Sequence, residues 1–315
     1  RRVHKTPIAL IGGLAMFVSF TLTILIFVPF KHMPDGSSKR IIGLLIGGAF
    51  ITLSGFIDDI KPLSAKYKLL LQIIAAVILV CFGVRIKFVT NPFDRVTGIS
   101  DIGFLSVPAT IFWIVGITNA FNLIDGLDGL AAGVAGIASI TLFIVSALNG
   151  RTTAELLTAV LAGSIIGFIP YNFNPAKIFM GDTGSQFLGF ILAAISIEGS
   201  IKSAAAIAIV VPVLALGLPI YDTITSIIRR FINKKPVMQG DREHIHHKLL
   251  DMGLSQRQAV VVMYFISALL GMCAIFATEL STIQSFFVFI SVFCIIILIS
   301  KEAGIIKKKK REENH

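Results

Sequence analysis

The sequence predicts an all-α polytopic membrane protein of about ten transmembrane helices, and three observations carry that prediction. Of the 315 residues, 55% are hydrophobic and 15% charged, with a mean hydropathy of +0.86. A soluble domain carries roughly 25% charged residues, so polar surface here is too scarce to cover a water-facing globule. Apolar runs of about 15 to 23 residues recur along the chain, their interiors free of Asp, Glu, Lys and Arg. A helix needs about 20 such residues to cross the hydrocarbon. The runs are continuous rather than alternating, which favours helices over a closed barrel; only these two satisfy their backbone in lipid.

Taken in order, the runs lie at approximately 8–30, 41–57, 69–84, 104–118, 129–148, 156–171, 184–198, 204–221, 258–277 and 281–300. They leave no stretch for a water-soluble domain, so residues 1–315 read as one integral membrane domain. Between the third and fourth runs, residues 85–103 include Arg-Ile-Lys-Phe-Val-Thr, whose alternation predicts a small extracytoplasmic β-hairpin. Cys81, Cys273 and Cys294 fall within apolar runs without metal-ligand spacing, and are expected to be buried and unpaired. The chain opens at Arg1-Arg2, and no signal peptide is expected of this opening. A further piece, one more helix, is expected ahead of it.

Orientation follows from the basic residues. With Arg1 placed inside, alternation puts 20 of the 28 Lys and Arg on the cytoplasmic side. Seven come from 222–257 and six from the tail 301–315, where Lys307 to Arg311 would anchor the last helix on anionic lipid. This bias also accounts for the net charge of +10 without nucleic acid, since no basic, aromatic-interleaved patch stands outside the loops. The unusual polar loops then share one face: 58–68, 119–128, 172–185 and 222–257.

Four clusters on that face carry chemistry. Gly55-Phe56-Ile57-Asp58-Asp59 ends a span with two carboxylates, followed by Lys61 and Lys68. Such a pair near lipid needs a cation or base beside it, although Asp is also common at ordinary helix ends. In Asn119-Ala120-Phe121-Asn122-Leu123-Ile124-Asp125-Gly126-Leu127-Asp128-Gly129, Asn122, Asp125 and Asp128 are three apart and would share one helical face. Oxygen ligands with glycines between them suit Mg²⁺ and a phosphate-bearing substrate, and an Asx-turn loop is the plainer alternative. Gly181-Asp182-Thr183-Gly184-Ser185, after Asn172, opens a span whose free N–H groups favour anions, where Asp182 would otherwise be a simple cap. Last comes Asp241-Arg242-Glu243-His244-Ile245-His246-His247-Lys248, with His244 and His247 on one helical face. No third clear ligand or HExxH pattern accompanies them, so phosphate or sugar contacts suit this basic loop better than zinc.

Together and in this order, the clusters resemble the polyprenyl-phosphate N-acetylhexosamine-1-phosphate transferase superfamily (glycosyltransferase family 4). The likeness runs from Arg1-Arg2-Val3-His4-Lys5 and Gly12-Gly13 to His247. The His244 to His247 form, with Pro219-Ile220-Tyr221-Asp222-Thr223 and Arg229-Arg230, is similar to the bacterial UDP-GlcNAc branch rather than the MurNAc-pentapeptide branch. Ala9 departs from the Pro that the family often has there, and the family's first helix is expected ahead of Arg1.

The resemblance implies a multi-pass enzyme of the bacterial inner membrane with its active site on the cytoplasmic face. It would move GlcNAc-1-phosphate from UDP-GlcNAc to undecaprenyl phosphate and release UMP. That step would start O-antigen, enterobacterial common antigen or teichoic acid synthesis. Carried over by position, Asp182 would be the principal Mg²⁺ ligand with Asn122 beside it, Mn²⁺ substituting. Asp58, supported by Asp59, would be the base or the phosphate-orienting residue. Lys68 would contact the pyrophosphate. Asn172, Asp125 and Asp128 would hold the donor nucleotide, Asn119 would be a further substrate-binding residue, and His244, His246 and His247 would take the sugar–phosphate side. A homodimer is left open. UDP-GalNAc or UDP-MurNAc-pentapeptide remain alternative donors. A secondary transporter is the rival class, but no run carries a charged residue at its middle.

Overall fold

The computed structural model describes residues 9–34, 36–90, 99–200, 210–233 and 244–302. Twelve helices are described: α1 Gly12–Phe27, α2 Ser37–Ile60, α3 Ala65–Cys81, α4 Ser106–Ile124, α5 Leu130–Leu148, α6 Thr152–Asn172, α7 Gly181–Ser200, α8 Val210–Ala215, α9 Gly217–Ile232, α10 Ile245–Asp251, α11 Gln256–Ala277 and α12 Thr282–Glu302. Five stretches are long and apolar enough to cross a membrane: α2, α4 with the turn before it, α5, α6 and α11. α1 and residues Ile283–Ile295 are shorter apolar helices. Large apolar side chains such as Phe112, Phe265 and Phe276 are more than half exposed on the outside, as lipid-facing surface requires. The chain is an all-α membrane protein.

α7 is the axis of the bundle, packing against α1, α2, α4, α5 and α6. Its residues 187–197 are buried all round, which fits a helix apolar on every face. α2 reaches α7 through Gly55, where a Cβ would stand 2.6 Å from Thr183 Cα. Only a residue without a side chain admits this approach, which brings the acidic end of α2 against the start of α7. At the other end of the same pair, Arg40 donates through Nε and Nη2 to Glu198 at 2.7 and 2.8 Å. This bidentate pair fixes the register of α2 on α7.

Several boundaries differ from the sequence reading, mostly because the helices run on past their apolar stretches into the polar clusters. Asp58 and Asp59 are in the last turn of α2, and Asn119 and Asn122 in the last turns of α4, rather than in loops. α4 ends at Ile124; α5 starts after Gly129, whose backbone is left-handed (φ 80°). Asn122, Asp125 and Asp128 therefore do not share a helical face. The run at 204–221 is broken among its described residues: α8 stops at Ala215, and α9 continues to Ile232 through residues read as loop. Charge hid α9. Asp222, Thr225, Ser226 and Arg229 form its buried stripe, while Ile224, Ile227, Ile228 and Phe231 are exposed. Cys81 and Cys294 are exposed on apolar helices rather than buried.

Two short strands, β1 Phe88–Thr90 and β2 Ile99–Asp101, pair antiparallel, Phe88 opposite Asp101 and Thr90 opposite Ile99. The residues between them, the basic opening 1–8, 234–243 with Asp241, Arg242 and Glu243, and the tail from 303 lie outside the described residues. Ahead of α1, Ala9 bridges Ile178 in parallel and accepts from Phe179 N–H at 3.0 Å.

Candidate active site

One end of α2, α3, α4 and α7 gathers the first three clusters. Asp182, in the first turn of α7, is their meeting point. Its Oδ2 accepts from Lys68 Nζ at 2.7 Å, and its Oδ1 faces the Asn122 amide at 2.7 Å. Asn122 Nδ2 also reaches Ser185 Oγ at 3.0 Å. Lys68 is shared, since its Nζ also pairs with Asp58 Oδ2. Asp58 is 4% exposed and accepts Leu63 N–H through Oδ1 at 2.7 Å, closing the turn between α2 and α3. A buried carboxylate at this depth needs such a counter-charge.

Asp59 faces the other way. Its Oδ1 accepts the Asp182 amide at 2.7 Å; its Oδ2 accepts the Thr183 amide at 3.0 Å and the Thr183 hydroxyl at 2.6 Å. A carboxylate from α2 thus satisfies the free N–H groups at the start of α7 and complements its dipole.

One helical turn deeper, the same helices carry uncharged amides. Asn119 donates to Gln72 Oε1 at 2.5 Å and to the Val115 carbonyl at 3.0 Å, and Gln72 donates to Gln186 Oε1 at 3.4 Å. Gln72 and Gln186 are fully buried. Asn119 belongs to this layer, not to the Lys68–Asp182 layer.

The turn 125–129 flanks the centre. Desolvation first, then the carboxylates of Asp182, Asp59 and Asp128, push Asp125 up to about 8. Asp125 keeps partial contact with solvent. Asp128 is turned away: its Oδ2 accepts Asn174 Nδ2 at 3.1 Å and Ala176 N–H at 3.0 Å. Asn172, 3% exposed, joins Gly129 N–H at 3.1 Å to the Ile178 carbonyl at 2.9 Å. Both ends of its amide are engaged by backbone, so Asn172 and Asp128 shape the loops in this geometry.

The fourth cluster docks on this turn. His246, 1% exposed, lies against Gly126, where a Cβ would stand 2.4 Å from its Nε2. Burial first, then His247, with His244 adding and Asp222 opposing, holds His246 down to about 4. His244 stacks on His246 with centroids 5.7 Å apart, and His247 is tilted against it at 4.3 Å. His244 Nδ1 is 2.8 Å from Asp222 Oδ2. Asp222 is the partner that residue-by-residue reading left without a role. Its signal was the polar stripe of α9.

The donor set suits a hard cation. It offers the Asp182 carboxylate with the Asn122 side-chain amide beside it, in a field of further carboxylates and with no thiol nearby. Among the described residues no three His, Cys, Asp or Glu form a ready-made cage. Remaining ligands would come from phosphate oxygens and water, which is how Mg²⁺ is ordinarily held.

A polytopic helical membrane protein with carboxylates, one shared lysine and histidines at one end of its bundle is the class these features define. The chain belongs to glycosyl transferase family 4, whose model matches residues 41–200. It is 38% identical over 309 residues to the probable undecaprenyl-phosphate N-acetylglucosaminyl 1-phosphate transferase of Bacillus subtilis, covering 98% of this chain and 84% of that one. It is 36% identical over 285 residues to the decaprenyl-phosphate N-acetylglucosaminephosphotransferase of Mycobacterium tuberculosis (84% and 70%). Over 209 residues it is 35% identical to a Staphylococcus aureus phospho-N-acetylmuramoyl-pentapeptide-transferase (62% and 63%).

Proposed function

We propose that this protein transfers N-acetylhexosamine-1-phosphate, with GlcNAc-1-phosphate the first choice, from a UDP-sugar to undecaprenyl phosphate and releases UMP, the opening step of an envelope polysaccharide. The observation that carries the reading is Lys68 held between Asp58 and Asp182 with Asn122 alongside. Two anionic partners must meet in this reaction, and this is where the site combines a cation with hard-metal ligands.

In the reaction, an oxygen of the lipid phosphate forms a bond to the β-phosphorus of the donor. The anhydride bond to the α-phosphate breaks, and its electron pair leaves with UMP. Lys68 contacts the pyrophosphate. Asp58, buried and bonded to Lys68 and Leu63 N–H, orients that ammonium; a phosphate monoester is already an anionic nucleophile near pH 7 and needs no strong base. Asp59 supports from beneath, holding the start of α7. Asp182 and Asn122 would hold Mg²⁺, which supplies charge neutralisation at the pyrophosphate when bound. Asp125 lies beside the donor, and the His244–His247 turn takes its sugar–phosphate side.

The same reading sets ten spans in a bacterial inner membrane, the site at the cytoplasmic boundary and the β1–β2 pair outside. Support comes from the 20-of-28 basic bias. The Staphylococcus aureus relative favours one second reading, the same chemistry on UDP-MurNAc-pentapeptide. A donor panel tests both. Purified protein, undecaprenyl phosphate and Mg²⁺ are offered UDP-GlcNAc, UDP-GalNAc or UDP-MurNAc-pentapeptide, and the lipid product is read by mass. GlcNAc-pyrophosphoryl lipid is expected; product from the pentapeptide donor alone selects the second reading.

A further inference from the structure

Asp222 is a buried carboxylate that none of the roles above uses. It belongs to the polar stripe of α9 and is 2% exposed. Its two oxygens do separate jobs. Oδ1 accepts the Ile245 amide at 2.9 Å, meeting a free N–H at the start of α10. Oδ2 is 2.8 Å from His244 Nδ1. An ionised carboxylate only accepts, so the proton of this contact belongs to His244 Nδ1. In the neutral ring, Nε2 is then the acceptor. The ring cannot swing freely: His244 is 5% exposed and lies parallel to His246, which is seated on Gly126. Among the described residues Nε2 has no partner.

We propose that Asp222 is a positioning residue of the transfer site, fixing the tautomer of His244 so that Nε2 is offered to the sugar–phosphate side of the donor. It acts through His244 and touches no substrate. The proposal rests on the transfer reading above. Carboxylate partners of this kind set which imidazole nitrogen works and how the ring is aimed.

Asp222→Asn separates the two jobs. The amide oxygen still caps Ile245, but the NH₂ faces His244 Nδ1, makes that nitrogen the acceptor and moves the proton to Nε2. The full chain in lipid nanodiscs, with UDP-GlcNAc, undecaprenyl phosphate and Mg²⁺, would be assayed as wild type, Asp222→Asn, His244→Gln and the double variant. Asp222→Asn is expected to lose about 10- to 100-fold in kcat, with little change in KM for the lipid and an unchanged melting temperature. The double variant is expected to be no worse than His244→Gln alone, because the two residues act as a unit. Turnover within twofold of wild type overturns the proposal, as do losses that multiply in the double variant. If Asp222→Asn does not fold, His244→Gln reads the same contact, and its full activity overturns the proposal. An inactive wild type overturns the transfer reading and this proposal with it; an active wild type with an indifferent Asp222→Asn overturns the proposal alone.

Discussion

Asp59 and Thr183 are joined twice: one carboxylate oxygen accepts both the amide of Thr183, at 3.0 Å, and its hydroxyl, at 2.6 Å. With the Asp182 amide on its other oxygen, Asp59 serves as the cap that the first turn of α7 does not supply from its own sequence. Losing a capping oxygen typically costs about 0.5–2 kcal/mol. Asp59→Ala should lower the melting temperature and also reduce turnover by about 10²-fold, because Asp182 loses its placement. Asp59→Asn, which keeps one acceptor, should fall between. A wild-type melt for Asp59→Ala would show that the cap is dispensable.

Asp182 and Asp58 should fail differently, although both touch Lys68. Asp182→Asn removes a full charge from a hard-cation site, so its turnover should recover in part at high Mg²⁺. Asp58→Asn should loosen the hold on Lys68 and lower turnover by about 10²-fold, with a metal dependence close to that of wild type. Turnover against Mg²⁺ concentration, with UDP-sugar calorimetry in parallel, distinguishes them. Rescue of Asp58→Asn rather than Asp182→Asn would reverse the two roles.

His246 makes stability depend on pH with a definite sign. Its folded value near 4 is below the ordinary 6.5. Between those values the unfolded chain takes up a proton that the folded chain refuses, so stability is full above about pH 6.5 and declines as pH falls toward 4. The slope from one such group approaches about 1.4 kcal/mol per pH unit. Melting of wild type and His246→Asn in detergent from pH 7.5 to 4.5 checks this. The wild-type curve should drop more steeply, and parallel curves would remove His246 from the account.

The all-α membrane class was legible because lipid penalises charge: gaps between charged residues mark the long apolar helices, and polar clusters stand out against them. The pieces that escaped are those where polarity and helix coexist. α9 read as loop because Asp222, Arg229 and Arg230 interrupt its apolar run, although their period was helical. Gln72 and Gln186 are lone amides inside predicted spans, a signal that pointed to the layer beneath the site. The family resemblance gave Asn172 and Asp128 donor contacts, whereas the loop contacts they make here depend on the loops folding onto each other. Arg40 and Glu198 are 158 residues apart, and no local pattern pairs them.

Sidedness can be read in a background lacking Cys81, Cys273 and Cys294. Lys177→Cys, at an exposed position beside the site, should react with an impermeant maleimide only from the cytoplasm. Lys39→Cys, exposed at the start of α2, should react only from outside. A reversed pattern would invert the basic-residue assignment.

The most direct measurement of the central claim is the nucleotide released. With UDP-GlcNAc, undecaprenyl phosphate and Mg²⁺, the purified protein should yield UMP and GlcNAc-pyrophosphoryl lipid in equal amounts, because the bond that breaks lies between the two phosphates of the donor. Release of UDP with a lipid carrying one phosphate fewer would mean that the sugar alone moves, and would contradict the account.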